Sequence, residues 1–475
     1  MRLLIFTFLF LLSLQTVAQV NDFNIHKKID SIFSEYDSLK PGVAVAVIRD
    51  GKIDFKKGYG LANLEYDIPI LTETKFHIAS VSKQFTAFSI YLLNKEGKLS
   101  LEDDIRKYVP ELPQYNKVIK IKNLLAHTSG IRDQWALLTL AGWRMEDIIT
   151  TRQILKILSS QKQLNFETDS QFGYSNSGYT LLAEIVSRVS GISFAEFTRK
   201  NIFIPLGMSN TLFNDDFHNV IKNRASSYEF VNGMYSERRL NYSTAGATSL
   251  TTTVEDLAKW VNNFEKPVVG DKDLINNFNE ISKYENGNPV IWSARPDDTT
   301  YHAKGQLHWK HKGLQVISHG GHDAGFRAVL MRFPENNLAI ITLSNNEHYQ
   351  MLGKVLPVAD LYLKDEFKET INPGTSSGNT KPKKAEPFNN TIADFTGTYK
   401  SDELSTDYTI KVKEDKLIMT HPRFTDITLT AIAEDKFSGA NDFSFEISFI
   451  RKSNTITGFS ISNFGVKNLV FAKLK

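Results

Sequence analysis

The sequence predicts an α+β protein: an antiparallel sheet flanked by helices with an all-helical lobe, followed by a small all-β domain. Three observations carry this. Strand pattern is written near both ends of segment 25–363, and helical pattern fills most of the space between. A stretch without apolar periodicity, Asn372 to Asn390, is then followed by short alternating runs. With 475 residues the chain is too long for one ordinary core, so at least two domains are expected.

Ile25 to Leu39 places Ile25, Ile29, Ile32, Phe33 and Tyr36 at helical spacing, and Pro41-Gly42 stops it. Val43-Ala44-Val45-Ala46-Val47-Ile48, the turn Asp50-Gly51, and Lys52 to Phe55 predict a β-hairpin. Ser82 to Lys95 reads as an amphipathic helix ended by Gly97, and Thr180 to Ser190 as another ended by Gly191. A late hairpin is expected from Phe326 to Phe333, Asn336-Asn337, and Leu338 to Leu343. One sheet closed by N- and C-terminal strands, with a helical lobe inserted, accounts for this order.

The stretch Pro373-Gly374-Thr375-Ser376-Ser377-Gly378, with Lys381-Pro382-Lys383-Lys384 after it, has linker composition. Such a linker implies few contacts crossing it, so the C-terminal part is expected to be separable. Tyr408-Thr409-Ile410-Lys411-Val412 and Leu417-Ile418-Met419 are short strands of a barrel or curved sheet. The expected boundaries are 1–18 for a leader, 19–369 for the main domain, 370–389 for the linker and 390–475 for the β-domain.

Arg2, the apolar run Leu3 to Leu14, and Gln15-Thr16-Val17-Ala18-Gln19 read as a secretory signal peptide cut after Ala18. Spanning a bilayer takes roughly 20 apolar residues, and this run has about a dozen. Export to the periplasm or the medium is therefore expected, with no membrane span after cleavage. The absence of cysteine excludes disulfides, cysteine nucleophiles and thiolate metal sites. A net charge of +3, from 56 basic and 53 acidic residues interspersed, points away from nucleic acid. A small-molecule or short peptide substrate is the expected partner.

Three stretches can carry chemistry. In Ser80-Val81-Ser82-Lys83, residues three apart share a helix face, so hydroxyl and amine can meet. The helix N-terminus favours a developing alkoxide, and a serine needs an adjacent base. Lysine serves as that base only if burial or nearby cations lower its pKa far below ~10.4. Gly173-Tyr174-Ser175-Asn176-Ser177-Gly178-Tyr179, placed before the helix, offers a phenol to shuttle a proton and an amide to orient substrate. Its bland reading is a helix-entry turn. Ser318-His319-Gly320-Gly321-His322-Asp323-Ala324-Gly325-Phe326 lets backbone approach closely, so that an edge strand can offer an N–H to an oxyanion. His319 there can polarise a leaving group or hold a carboxylate, and Asp323 is a candidate acid neighbour for it. His319 and His322 lack ligand spacing with any acidic cluster, so no metal and no cofactor are expected. An α/β-hydrolase would need G-x-S-x-G, whereas Gly173-Tyr174-Ser175-Asn176 is followed by Ser177.

Taken in order, Ser80-x-x-Lys83, Tyr174-x-Asn176 and His319-x-Gly321 resemble the three-motif set of the serine β-lactamase and DD-peptidase family. Leu124-Leu125-Ala126-His127-Thr128-Ser129-Gly130-Ile131 is similar to the L-L-x-H-T-S-G signature of the class C branch. Ala245-Gly246-Ala247, followed by Ser249 to Trp260, looks like that branch's later glycine turn and helix. The resemblance runs from about Ile25 to Leu363. It implies a β-lactamase/transpeptidase-like fold with Ser80 at a helix start in the cleft between two lobes. It further implies Ser80 as nucleophile, Lys83 and Tyr174 sharing the proton, and Asn176 orienting substrate. The backbone N–H groups of Ser80 and His322 would form the oxyanion hole, and His127, Thr128 and Ser129 would support the site without catalysing.

One departure stands out. Penicillin-recognising members carry K-T-G where this chain has His319-Gly320-Gly321, which lacks the fixed charge and the hydroxyl. Esterase-like and D-aminopeptidase-like branches resemble this variant more, and the latter also carry C-terminal β-domains. The resemblance thus implies a serine hydrolase acting on small esters, amides or D-amino-acid peptides. The alternatives are a β-lactamase or D-alanyl-D-alanine carboxypeptidase, and a catalytically silent binding or sensor protein on the same fold.

Overall fold

The computed structural model describes residues 24–295, 298–368, 392–441 and 444–474. The expected leader and the whole of the expected linker lie outside them. The apolar run Val43–Arg49 forms β1, and it turns into β2 (Lys52–Tyr59) through Asp50 and Gly51, both at positive φ as a tight hairpin requires. Late in the chain come β3 (Ile291–Arg295), β4 (Asp298–Ala303), β5 (Gln306–His311), β6 (Leu314–Asp323), β7 (Phe326–Phe333) and β8 (Leu338–Ser344). These eight strands make one antiparallel sheet in the order β3-β4-β5-β6-β7-β8-β1-β2. N-terminal and C-terminal strands therefore meet at β1–β8, as the hairpin pattern predicts.

Burial on both faces explains why β1 is apolar without alternation. Val43, Val45 and Val47 pack with Ile29 and Phe33 at the N-terminus and with Val355 and Val358 of a C-terminal helix (Met351–Leu363). Ala44, Ala46 and Ile48 face the opposite core, which holds Phe85, Phe88 and Trp260 of the helical part.

Helix boundaries shift where caps decide them. Ser82–Lys95 (α1) and its stop at Gly97 stand as expected. The next expected helix begins at Asn176, four residues before Thr180, and ends at Gly191 in the left-handed conformation (α2, Asn176–Ser190). Asp133 causes the early start, because its carboxylate accepts the Asn176 N–H at 2.7 Å. The helix expected from Ser249 starts only at Val254. Leu250–Thr252 is a strand, and the Thr253 hydroxyl caps the helix by accepting from Asp256 N. The N-terminal helix covers 24–32 and ends short of Leu39.

Beyond residue 396 eight strands close into a barrel, whose last two members are β9 (Thr455–Ser462) and β10 (Leu469–Lys473). Its interior is filled by aromatic side chains, with Phe449 and Phe459 rings 5.8 Å apart and Phe459 stacked on Phe471 at 4.9 Å. Among the described residues no helix is long and apolar enough to cross a membrane.

The barrel is not lightly attached, contrary to what linker composition suggests. The Arg132 guanidinium, 1% exposed, donates to Glu403 Oε2 of the barrel at 2.8 Å, to Gln161 Oε1 at 2.9 Å and to the Lys467 carbonyl at 3.0 Å. Tyr408 donates to the Leu140 carbonyl at 3.1 Å, and Asp133 N to the Gly465 carbonyl at 2.8 Å. A linker reports only on itself, whereas these contacts are made by barrel residues outside it. Removing one partner of a buried ion pair strands the other charge. Glu403→Ala is expected to cost about 3–5 kcal/mol of stability, and the double change Arg132→Met/Glu403→Leu less. Urea unfolding followed by tryptophan fluorescence checks this, and a cost under about 1 kcal/mol would place the pair with weak surface bridges.

Candidate active site

The site begins with a backbone contact. A single 3-10 turn, Ala79–Val81, leads into α1, with Ala79 held at φ +47°. The end of β6 lies directly on this turn. A Cβ at Gly321 would sit 2.2 Å from the Ile78 carbonyl oxygen and 3.2 Å from Ala79 Cβ. Only glycine permits that approach, and the fit locks strand and turn together.

Lys83, in the first turn of α1, is fully buried. Its Nζ donates to Asn176 Oδ1 at 2.8 Å and to the Ala247 carbonyl at 2.7 Å, and lies 3.0 Å from Ser80 Oγ. Burial pulls its pKa down to about 7, and the carboxylates of Asp133 and Asp323 offset that only in part. Tyr174 donates its hydroxyl to Ser80 Oγ at 2.9 Å, and burial pushes the phenol well above its ordinary value. It therefore stays protonated at neutral pH.

Asn176 is fixed rather than free to rotate. Its Nδ2 donates to Asp133 Oδ2 at 2.8 Å, which assigns the other end of the amide as the acceptor facing Lys83. Asp133 also caps the helix Gln134–Leu140 by accepting from Trp135 N and Ala136 N. Burial raises its pKa against those four donors. His127, at φ +58°, accepts from Ser175 N at 3.2 Å and lays its ring 4.5 Å from that of Tyr174. That contact braces the phenol, the supporting role its motif implies.

The third motif is divided. His319 is buried, and its Nδ1 donates to the Gly320 carbonyl at 2.6 Å, which leaves Nε2 as an acceptor. Burial, with the Lys83 charge nearby, brings its pKa to about 4, so it is uncharged at neutral pH. The His322 side chain is exposed at the cleft wall while its backbone pairs opposite Arg327. Asp323 turns away from His319 to Thr248 (2.8 Å), His77 (3.0 Å) and Tyr242 (3.2 Å). Burial pushes its carboxyl up, but those donors outweigh it and hold it below the usual range.

These groups open on a cleft of about 770 Å³ lined by Ser80, Tyr174, Asn176 and His319, with Trp135 and Trp292 on its walls. Sequence reasoning missed Asp133, the Ala247 carbonyl as a lysine partner, and Trp292. An acid just before an apolar helical run was a visible capping signal for Asp133, but nothing local shows that the same carboxylate holds Asn176. Among the described residues no group of three or more His, Asp or Glu side chains is placed to hold a metal ion.

The sequence model of the Beta-lactamase family matches residues 29–362. Protein flp of Staphylococcus aureus (strain MRSA252) is 29% identical over 336 residues, covering 68% of this chain and 64% of its own length. A D-aminopeptidase of Gluconobacter oxydans is 25% identical over 308 residues, covering 64% of this chain and 56% of its own. This chain thus spans less than two thirds of the length of either relative. Among solved structures, the octameric penicillin-binding protein homologue from Pyrococcus abyssi superposes with a TM-score of 0.61 at 21% identity, over 95% of this chain and 99% of that one. With the buried lysine, the braced tyrosine and the glycine-tight strand already in place, the match over most of the chain settles its kinship: it belongs to the Beta-lactamase family.

Proposed function

We propose that this chain is a serine hydrolase that works through an acyl-enzyme on Ser80 and cleaves small esters or amides, D-amino-acid amides and peptides among them. The observation that carries this is the partner set of Lys83. Asn176 Oδ1 and the Ala247 carbonyl are acceptors only, so an uncharged lysine directs its two N–H bonds at them. Its lone pair is then left for the Ser80 hydroxyl, 3.0 Å away. With a pKa of about 7, a large fraction of Lys83 is in that form at neutral pH.

In this reading Ser80 Oγ attacks the substrate carbonyl as its proton passes to Lys83. The backbone N–H groups of Ser80 and His322 hold the oxyanion. Tyr174, protonated at rest, gives its hydroxyl proton to the departing alkoxide or amine as the bond to it breaks and regains the one held by Lys83, leaving an ester on Ser80. Water then adds to that ester by the same route and releases the acid. His319, neutral and with its N–H committed to the Gly320 carbonyl, accepts a hydrogen bond at Nε2 without supplying charge. The glutamates take the cleft's arginines: Arg238 pairs with Glu229 at 2.8 Å and Arg239 with Glu237 at 2.7 Å. A free substrate carboxylate thus meets no unpaired cation in this cluster, which favours neutral or cationic acyl parts. The likeness to a D-aminopeptidase agrees with that preference.

Ser80→Ala is expected to abolish turnover and fluorophosphonate labelling. Lys83→Ala and Tyr174→Phe should each lower kcat by roughly 10²–10⁴. For the wild type, kcat/KM should rise with pH through about 7 as Lys83 loses its proton. A profile flat from pH 5 to about 9 would remove lysine as the base. Comparing kcat/KM for a p-nitrophenyl ester, a D-alanine anilide and a cephalosporin tests the substrate class. Cephalosporin turnover near 10⁶ M⁻¹s⁻¹, roughly that of a good enzyme, would restore the β-lactamase reading.

The apolar leader supports export. A secreted or periplasmic product beginning at Gln19 is expected, and an intact Met1 in that fraction would overturn cleavage.

A further inference from the structure

Phe464 stands on the turn joining β9 to β10 and is 59% exposed. A single exposed phenylalanine means little by itself. Three features set this one apart.

The turn is rigid. Asn463 Oδ1 accepts from Gly465 N at 3.0 Å and from Val466 N at 2.8 Å, and Asn463 N donates to the Val466 carbonyl at 2.8 Å. It is also seated on the helical lobe. The Gly465 carbonyl accepts from Asp133 N at 2.8 Å and from Asn165 Nδ2 at 2.9 Å, while Lys467 N donates to Asn165 Oδ1 at 2.7 Å. A Cβ at Gly465 would lie 2.6 Å from Asp133 Cβ and 3.0 Å from Ala136 Cβ, so the seat is made for bare backbone. Finally, Phe464 lines the same cleft as Ser80, along with Trp135, Met145, Leu240 and Tyr242. The Trp135 and Tyr242 rings stack at 4.7 Å with 25° between their planes, which gives the cleft a flat aromatic wall.

We propose that the Asn463–Lys467 turn of the barrel is a specificity-determining wall of the active site. Phe464 and the facing apolar side chains form a subsite for one ring-sized apolar group of the substrate. A ring entering there leaves water on one side and meets aromatic faces on the other, the arrangement that rewards planar apolar groups over small ones. The turn's rigidity matters because the ordering cost is met in the folded protein rather than on binding. The proposal rests on the hydrolase reading and extends it to the choice of substrate.

The test compares matched pairs on the full-length protein. p-Nitrophenyl acetate and p-nitrophenyl phenylacetate vary the acyl side, and D-alanine methyl ester and D-alanine benzyl ester vary the leaving side. The wild type should prefer the ring-bearing member of at least one pair. Phe464→Ala should lower that ratio of kcat/KM values about tenfold, the usual scale for losing apolar contact in a specificity pocket. Phe464→Leu, which keeps an apolar wall, should retain most of the preference. Fluorophosphonate labelling of Ser80 in each variant confirms that the site is assembled. Ratios unchanged within about twofold in both pairs would overturn the subsite, as would equal losses for both members of each pair. A folded wild type that turns over none of the four esters gives a different result, which overturns the hydrolase reading and the proposal with it.

Discussion

Everything at this site depends on keeping one amine out of water. An ammonium placed where Lys83 lies loses its hydration, and among the described residues two buried carboxylates, Asp133 and Asp323, stand near enough to compensate. The balance is what matters. A carboxylate in direct contact with Nζ would hold the proton, and no carboxylate at all would push the lysine further from its charged form. The protein places carbonyl oxygens at Nζ and keeps both carboxylates outside hydrogen-bond contact with it. The helices, the glycine-tight strand and the braced phenol serve to keep that pocket closed.

The carboxylate of Asp133 has several tasks at once. It caps one helix, starts another, and fixes the amide that faces the lysine, while the backbone N–H of Asp133 donates to the Gly465 carbonyl of the barrel. The neighbouring Arg132 anchors Glu403 of the barrel. Two adjacent residues thus join the barrel's placement to the orientation of Asn176, and through it to Lys83.

Much of this was legible in the sequence, for identifiable reasons. The β1–β2 and β7–β8 hairpins announce themselves through turn residues and unbroken apolar runs. The three motifs mark the site because serine, lysine, tyrosine, asparagine and glycine each answer a chemical need. The failures share a cause. The early start of α2 and the docking of the barrel are set by partners remote in sequence, as is the strand Leu250–Thr252 that delays the next helix to Val254, since it pairs with Phe76–His77 and Leu212–Phe213. Asn176 begins a helix because Asp133 accepts its N–H, and no window around Asn176 contains Asp133. Linker composition likewise says nothing about a guanidinium on one side and a glutamate on the other. Asp323, four residues on, shares the strand face of His319 by alternation, yet its carboxylate is taken by Thr248, His77 and Tyr242, none of them near it in sequence.

The pairing of β1 with β8 has a consequence for how the protein comes into being. Gly42 N donates to Asn345 Oδ1, a partner 303 residues away, and β1 lies between a strand made immediately after it and one made near the end. The first hairpin therefore emerges from the ribosome long before the edge it needs. Closing so distant a contact is slow, and β1 stays an open edge until then. The turn carrying Ser80 likewise waits for Gly321. A nascent or truncated chain holds Ser80 and Lys83 but not the strand that seals them, so the site is assembled late and all at once.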